Sequence, residues 1–157
     1  MHAAKVDARL AQLGIELPAP TPAWANYVSW LRTGALVFVS GQLSKLGDEV
    51  YKGKLGADLT VEQGYRAARI CAINLLPHLK AACGGDLDRV VRCVEVGGFV
   101  SSTPSFVDQP KVLNGASDLL VEVLGDAGRH TRFAVGVAVL PFDFAVEVKA
   151  VFEVADR

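Results

Sequence analysis

The sequence predicts an α+β fold in which one mixed β-sheet carries two helices on one face. Three observations lead to this prediction. Runs rich in β-branched residues occur in both halves of the chain, two longer segments have helical periodicity, and the order is β-β-(β)-α-β-α-β-β. Helices on one face leave the other face of the sheet to be buried by oligomerisation. No repeat or linker interrupts residues 1–157, so we expect a single domain.

Composition favours a soluble protein with a subunit interface. The chain has 157 residues, of which 51% are hydrophobic, and a mean hydropathy of +0.30. Surplus apolar surface of this kind is typical of association. No apolar run approaches the roughly 20 residues that cross a bilayer. The first residues, 1–13, are mixed and charged rather than a signal-peptide core, and we therefore expect a cytoplasmic protein without membrane contact.

Charge and cysteine usage exclude several classes of function. Sixteen basic and 17 acidic residues are interleaved, with a net charge of -1, so we expect no nucleic-acid partner. Cys71, Cys83 and Cys93 form no C-x-x-C motif and are predicted to be buried thiols. The three histidines are scattered along the chain. We expect neither a metal site nor a cofactor.

The N-terminal residues 1–21 are predicted to form a helix followed by an arm. Apolar residues spaced by three or four indicate an amphipathic helix over residues 2–13. Three prolines in residues 17–22 then force an extended, irregular course.

Two β-rich runs, residues 26–31 and 35–40, flank Thr33-Gly34 and predict a hairpin. The second run ends in Ser40-Gly41-Gln42, where glycine permits another group to approach the backbone. The loop of residues 46–58 is rich in glycine and charge, and its tip is expected to pair weakly as a third strand.

The longer helix is predicted to begin at a capping box, with Thr60 at the N-cap and Gln63 three residues later. Helical spacing continues to Leu79, and Pro77 is expected to kink the helix or weaken its hydrogen bonding. Gly84-Gly85 ends it, and residues 90–100 follow as a strand. A second helix starts near Pro110 and ends at residues 125–128, with a buried stripe made by Val112, Ala116, Leu119, Leu120 and Val123.

The segment His130–Val154 is predicted to be a hairpin with its turn at residues 140–143. Period-two alternation places Arg132 and Ala134 on one face, and we expect Glu147 on that same, small-residue side. The bulky apolar side is expected to carry the helices. A cation beside small residues leaves room for an anion, so this face is where we expect the chemistry.

Four motifs in this order resemble the YjgF/Rid family, also called the L-PSP endoribonuclease-like proteins, over roughly residues 22–154. They are Asn26-Tyr27 followed by Ser40-Gly41-Gln42, Gly85-Asp86-Leu87-Asp88-Arg89-Val90, Val112-Leu113-Asn114, and Arg132 followed by Leu140-Pro141 and Val146-Glu147-Val148. The family fold is similar to that of the Bacillus-type chorismate mutases.

The resemblance implies a homotrimer with a central barrel and clefts between subunits. It also implies hydrolysis of 2-imino and enamino acids to 2-keto acids and ammonia, with a small carboxylate metabolite as partner. In that scheme Arg132 binds the carboxylate and Glu147 positions or activates water. The pocket would be completed by Tyr27, Ser40, Gly41 and Asn114.

One position departs from the family pattern. Many imine-hydrolysing members have a cysteine two residues after the arginine, where this chain has Ala134. The long N-terminal arm and residues 125–130, which precede Arg132, also differ from the family pattern. Together these features resemble a divergent branch with a roomier pocket, in which Ala134 lies against the substrate.

The implied chemistry is physically reasonable for these residue types. An imine carbon is already electrophilic, so hydrolysis needs a carboxylate anchor, a positioned water and a proton path. The planar guanidinium of Arg132 suits a two-pronged contact with a carboxylate. Glu147 suits water activation where burial raises its pKa toward the working pH. No nucleophile is required.

Structural roles stay open for the same residues. Arg132 and Glu147 could form an ion pair across a subunit interface, since hairpin pairing would place Glu147 nearer Gly136 than Arg132. The remaining candidates also have simpler explanations: a core or interface aromatic for Tyr27, a helix–loop contact for Asn114, a strand end for Ser40, a turn for Gly41, a solvated loop position for His130, and neutralisation of Glu147 by Lys149.

Other functions also stay open. A trimer could bind a small 2-keto acid without turnover. Endoribonuclease or translation-inhibitor activity, which the family name suggests, is disfavoured by the balanced charge. Chorismate mutase activity would follow from the fold alone and would need several cations around a dianion, whereas the site offers one.

Overall fold

The computed structural model describes residues 5–156, and within them a five-stranded sheet carries two long helices on one face. This confirms the predicted α+β architecture. The helices are α1 (Lys5–Gln12), α2 (Val61–Ala82) and α3 (Gln109–Leu124). The strands are β1 (Trp30–Thr33), β2 (Leu36–Leu43), β3 (Lys45–Leu46), β4 (Glu49–Val50), β5 (Val90–Ser101), β6 (Thr131–Val137) and β7 (Val146–Val154). The start of the helix predicted over residues 2–13 lies outside the described residues.

The strand order in the main sheet is β1-β2-β7-β5-β6. β1 and β2 form the predicted antiparallel hairpin, and Gly34 in its turn has a φ of +59°, which glycine adopts without strain. β3 and β4 pair with each other as a separate ribbon and do not join the main sheet as a third strand. The arm from Ile15 to Pro22 has no regular secondary structure, as predicted.

The predicted C-terminal hairpin is wrong, because β6 and β7 do not pair. β5 lies between them, parallel to β6 and antiparallel to β7. The connection of residues 138–145, which includes a 3₁₀ turn at Pro141–Asp143, is long enough to cross the end of β5. β6 instead follows β5 through α3, which is the usual crossover between parallel strands.

The two faces of the sheet differ in what covers them. Val146, Val148 and Ala150 of β7 are fully buried under the helices, as predicted for that strand. On β6 the predicted orientation is reversed. Phe133 and Val135 lie on the outer face, where they are 38% and 43% exposed, and the side with Arg132 faces α3. Small residues suit the helix side of this edge strand because α3 packs close to it.

Local features of α2 and α3 follow the sequence signals. Thr60 and Gln63 form the predicted capping box, and α2 runs through Pro77 to Ala82 as one helix. α2 and α3 touch at Gly115, where an added Cβ would lie 1.9 Å from the carbonyl oxygen of Tyr65. The predicted stripe of α3 is buried, as are all three thiols, which are free. Between residues 5 and 156, no helix combines the length and apolar character needed to span a bilayer.

Candidate functional site

A cavity of about 430 Å³ opens where the arm passes the end of β2. Four of the predicted site residues line it: Tyr27, Ser40, Gly41 and Glu147. The cavity also reaches α2, which contributes Asn74 and His78 to its wall. The sequence motifs of the N-terminal half and the glutamate of β7 are therefore brought together in one chain.

Hydrogen bonds from Ser40 fix the residues just before β1, and these in turn hold the arm. The Ser40 hydroxyl donates to the carbonyl oxygen of Val28 at 2.8 Å, and its backbone N–H donates to the Ser29 carbonyl at 2.9 Å. Ser29 Oγ in turn donates to the Thr21 carbonyl at 3.2 Å. Ser40 thus holds the wall of the cavity in place, and it does not end a strand, because β2 continues to Leu43.

A β-bulge places Gly41 against Glu147. Between Val39 and Gln42 of β2 the pairing with β7 slips by one residue, which leaves an extra residue on β2. A Cβ on Gly41 would lie 2.7 Å from Oε2 of Glu147. Glycine is needed here for space and not for a turn, because any side chain would displace the carboxyl group.

Glu147 has the properties of a water-handling group. It lies on the outer face of β7, is partly buried, and forms no ion pair within residues 5–156. Burial raises its pKa above the ordinary value of 4.5, because removal from water disfavours the charged form. Lys149 follows on the same face but forms no salt bridge with it.

The remaining predicted site residues lie at the other edge of the sheet, on and beside β6. Nη1 of Arg132 donates to Oδ1 of Asn114 at 2.9 Å and to Oγ of Ser117 at 3.1 Å. Nη2 donates to the Pro110 carbonyl at 3.4 Å. All three acceptors are neutral and belong to α3. One N–H on Nε and one on Nη2 have no partner among the described residues, and such a pair can bind a carboxylate.

His130 supports the arrangement around Arg132 through its hydrogen bond to Ser117. Nε2 of His130 lies 2.9 Å from Oγ of Ser117, and Nδ1 lies 2.6 Å from the carbonyl oxygen of Gly128. The carbonyl can only accept, so Nδ1 carries the proton, and Nε2 accepts from the Ser117 hydroxyl. The pKa of His130 is lowered by burial and by the Arg132 charge, although the Gly128 hydrogen bond opposes this.

Arg132 and Glu147 do not share a face of the sheet, and that prediction is wrong. Arg132 is in register with Val96, which faces the helices, while Glu147 is in register with Phe99 on the outer face. β5 also lies between their strands. One chain therefore cannot place both groups on one small molecule. An ion pair between them within the chain is excluded as well.

Ala134 lies two residues beyond Arg132 on the same face of β6, in register with Gly98. It is partly buried against the core. The structure thus brings Arg132, Asn114 and Ala134 into one group, and Tyr27, Ser40, Gly41 and Glu147 into another. Tyr27 is 52% exposed at the cavity rim, where its hydroxyl accepts a 3.5 Å hydrogen bond from the Trp24 N–H.

Sequence reasoning missed Ser117 and His78 and gave too little weight to His130. Ser117 is three residues after Asn114 on α3, which places both on one helix face. His130 precedes Arg132 by two residues and so shares its side of the chain, although we expected a solvated loop residue. His78 follows Asn74 by four residues on α2. Each of these spacings was a usable signal.

Within residues 5–156, no group of three or more histidine, cysteine, aspartate or glutamate side chains is arranged to hold a metal ion. The chemistry available is that of a cation, a carboxyl group with a raised pKa, and two neutral imidazoles.

Comparisons with known proteins agree with the fold and the motifs. Residues 7–154 match the family described as "YjgF/chorismate_mutase-like, putative endoribonuclease". Protein TCP17 of Trypanosoma cruzi is 51% identical over 153 residues, which are 95% of this chain and 94% of that protein. The crystal structure of Atu1372 from Agrobacterium tumefaciens, of unknown function, has a TM-score of 0.88 and 45% identity, covering 96% of this chain and 94% of that one.

A protein of Shewanella oneidensis MR-1 described as a putative endoribonuclease has a TM-score of 0.91 and 38% identity, covering 96% of this chain and 99% of that one. The family match takes in both halves of the site and nearly the whole of the described fold. The protein is therefore a member of the YjgF/chorismate mutase-like family, as the resemblance of its motifs implied.

Proposed function

We propose that the protein hydrolyses 2-imino and enamino acids to 2-keto acids and ammonia at a site shared by two copies of the chain. The observation that carries this proposal is the hydrogen bonding and exposure of Arg132. Its guanidinium is oriented by three neutral acceptors and retains two N–H donors at an exposed strand edge. A cation fixed in this way suits the carboxylate of a small substrate better than a structural ion pair.

The reaction uses the two groups in different roles. An enamino acid first takes a proton at C3 to become the imine. Water then adds to the carbon of the protonated imine and passes one proton to Glu147, whose raised pKa suits a general base, so that a neutral carbinolamine forms. Glu147 returns that proton to the amine nitrogen. The C–N bond breaks to release ammonia, and the hydroxyl group gives its proton to the Glu147 carboxylate as the C=O bond forms. Arg132 holds the carboxylate, so the carbon stays opposite the water.

The separation of the two halves within one chain supports a site between subunits. Arg132 is on β6 at one edge of the sheet, and the Glu147 cavity opens near β2, toward the other edge. Contact between two different surfaces of identical chains is head-to-tail, and such contacts close into a ring where the rotation between subunits allows it. A homotrimer, which the resemblance implies, is one such ring. Exposed Phe38, Phe133 and Val135 on the outer face suit burial in it.

The direct test generates imines with an amino-acid oxidase and follows their disappearance. We expect hydrolysis above the spontaneous rate, and we expect Arg132→Ala to reduce it to that rate. An active wild type with an equally active Arg132→Ala variant would contradict the assignment of the anchor.

Mixing inactive variants tests whether the site is shared. Arg132→Ala and Glu147→Gln chains that are unfolded and refolded together should regain activity. At some mixed interfaces the Glu147→Gln chain supplies an intact Arg132 and the Arg132→Ala chain supplies an intact Glu147. Random assembly restores about one quarter of the sites. Each variant refolded alone is the control, and a mixture as inactive as its components would rule out the shared site.

Binding without turnover is the second candidate, and Ala134 favours it. A methyl group stands beside Arg132 where many imine-hydrolysing relatives are expected to have a thiol, so this member of the family would lie in the branch without it. In that case 2-keto acids would bind, binding would depend on Arg132, and no imine would be consumed. RNA cleavage that survives Arg132→Ala would instead favour the nuclease activity named in the family description.

A further inference from the structure

We propose that the cavity under the arm binds the side chain of the substrate, and that it selects 2-imino acids with an aromatic side chain ending in a hydroxyl group, which bonds to His78. This inference rests on the proposed function, because it takes the reacting end of the molecule to lie at Glu147 and at Arg132 of a second copy. The other end is assigned from observations independent of those two residues.

The first observation is the position of the cavity. The pairing of β2 with β1 ends at Val39, and Ser40 still bonds to Ser29 just before β1. Beyond Ser40 no strand lies beside this edge of β2 in the described part of the chain, and the arm borders the space. The space left there is lined by Glu147 from the outer face and by His78 from the helix layer. The cavity therefore leads from the carboxyl group that would handle water into the body of the protein. A volume of about 430 Å³ is far larger than a methyl or hydroxymethyl group needs.

The second observation is that His78 is buried without a protein partner. Its residue is 2% exposed, and within residues 5–156 neither ring nitrogen takes part in a hydrogen bond, although the ring lines the cavity. The ring nitrogens are not sealed from solvent, since Nε of Arg89 is the one buried side-chain nitrogen or oxygen without a partner among the described residues. The hydrogen bonds of His78 therefore come from whatever occupies the cavity, and a ligand hydroxyl group there can replace water. Burial lowers the pKa of His78, so the ring is neutral at pH 7 and can accept from a hydroxyl group.

The neighbouring side chain on α2 does not bond to His78 in the structure. Asn74, one helical turn before His78, uses its amide N–H groups on the carbonyl oxygens of Leu43 and Lys45, at 3.1 and 2.8 Å. These bonds fix the strand end that forms one wall of the cavity. The ring of His78 is thus left to a ligand in the cavity, together with Oδ1 of Asn74, which forms no hydrogen bond among the described residues.

The third observation concerns the outer wall, which is aromatic. Trp24 of the arm packs edge-to-face on Phe142 at 5.2 Å between ring centroids, and both residues line the cavity. Phe142 has a φ of +57°, a left-handed conformation that is unusual for a bulky residue. Such outliers are retained where the surrounding structure needs the side chain in one place. An aromatic wall favours a planar aromatic ligand.

The experiment compares imines made by an amino-acid oxidase from tyrosine, phenylalanine and alanine. We expect kcat/KM for the tyrosine-derived imine to exceed that for the phenylalanine-derived imine by about tenfold, since the two differ only in the hydroxyl group that His78 would bind. His78→Leu should remove this ratio. The control Val107→Ala, at an exposed position outside the cavity, should preserve it.

A second variant and a binding assay keep the test decisive. Trp24→Ala removes a side chain that is 64% exposed and should lower the preference for aromatic over alanine-derived imines even where His78→Leu does not fold. Fluorescence of a Trp30→Phe variant, in which Trp24 is the remaining tryptophan, is titrated with 4-hydroxyphenylpyruvate, phenylpyruvate and pyruvate and measures the same preference without turnover. We expect the tightest binding for the hydroxylated acid.

The possible outcomes separate the two proposals. If no imine is hydrolysed but the hydroxylated keto acid binds tightest through His78, the proposed function fails and the cavity assignment stands. If alanine-derived imine is hydrolysed and the three side chains are treated alike, the function stands and the inference falls. A structure of the assembled protein in which a partner subunit fills the cavity would also overturn it.

Discussion

Oγ of Ser117 lies between two groups of opposite hydrogen-bonding character: it accepts from Nη1 of Arg132 at 3.1 Å and donates to Nε2 of His130 at 2.9 Å. The direction of each bond is fixed, because a guanidinium can only donate and a neutral Nε2 can only accept. The hydroxyl therefore transmits the position of the histidine ring to the proposed anchor.

Ser117→Ala should weaken carboxylate binding and leave the chemical step nearly intact. The guanidinium would lose one of three oriented acceptors, which corresponds to about 1 kcal/mol, or a roughly fivefold rise in KM with little change in kcat. Steady-state kinetics on one imine measure this split. Ser105→Ala, at an exposed position whose hydroxyl forms no hydrogen bond among the described residues, is the control. A change in kcat alone would contradict a positioning role.

His130→Gln should change how stability depends on pH. The pKa of His130 is lowered in the folded protein, so this residue contributes stability that is present above its ordinary value of 6.5 and is lost as the pH falls through the lowered pKa. Glutamine does not titrate and its carbonyl can accept from Ser117. Urea unfolding between pH 5 and 8, at about one-unit steps, should show a smaller acid loss for the variant. Equal losses would mean that His130 is not the group responsible.

Arg132→Lys should lower kcat/KM by about 10²-fold or more, although the charge is conserved. Lysine lacks the planar guanidinium group that can bind Asn114 and a carboxylate at the same time. Each charged hydrogen bond lost costs about 1.5–3 kcal/mol. Arg129→Lys, three residues earlier and paired with Asp126 at 3.3 Å, is the matched control and should be nearly neutral. A fully active Arg132→Lys variant would mean that charge alone binds the substrate.

Glu147→Gln should lower kcat by about 10²–10⁴-fold, the usual contribution of a general base. In the wild type, activity should fall as the pH drops through the raised pKa of Glu147, and the residual activity of the variant should lack that dependence.

The same substitution should stabilise the fold. A carboxyl group with a raised pKa favours folding most below its ordinary pKa of 4.5, and this contribution is lost as the pH rises through the raised value. The Gln variant should therefore be more stable than the wild type at neutral pH and no more stable below pH 4.5, as urea unfolding can measure. Glu153→Gln, on the same face of β7, should show no such gain.

Gly41→Ala should reduce kcat by displacing Glu147, since the new Cβ would lie 2.7 Å from Oε2. The double variant Gly41→Ala/Glu147→Asp tests this cause. A shorter acid makes room for the methyl group, so the two losses should not add. Strictly additive losses would show that Gly41 acts through something other than the carboxyl group.

The sequence was enough to predict the helices and strands, but it did not determine which strands lie side by side. Capping at Thr60 and the stripe of α3 are local signals, and both were predicted correctly. The contact between β5 and β6 is not local, because alternation along a strand says nothing about which strand lies beside it. The eight-residue connection of residues 138–145 looked like a hairpin turn for this reason.

The same limit explains the error about the site. Period-two alternation correctly placed Arg132 and Phe133 on opposite faces of β6. It could not determine which of the two faces the helices, because β6 is an edge strand. The bulky side of β6 was assigned to the core, whereas it faces outward, where another subunit can bury it. The family motifs nevertheless indicated the candidate residues of both groups. A motif is recognised by residue types at fixed spacings along the chain, so it does not depend on knowing which residues are in contact.

The placement of Arg132 and Glu147 on opposite faces of one rigid sheet has a consequence for regulation by concentration. Under the proposed shared site, an isolated subunit holds every required group and still cannot act, so specific activity should fall when the protein is diluted below the dissociation constant of its assembly. Anything that loosens the contact between protomers would then inhibit the enzyme without touching its substrate.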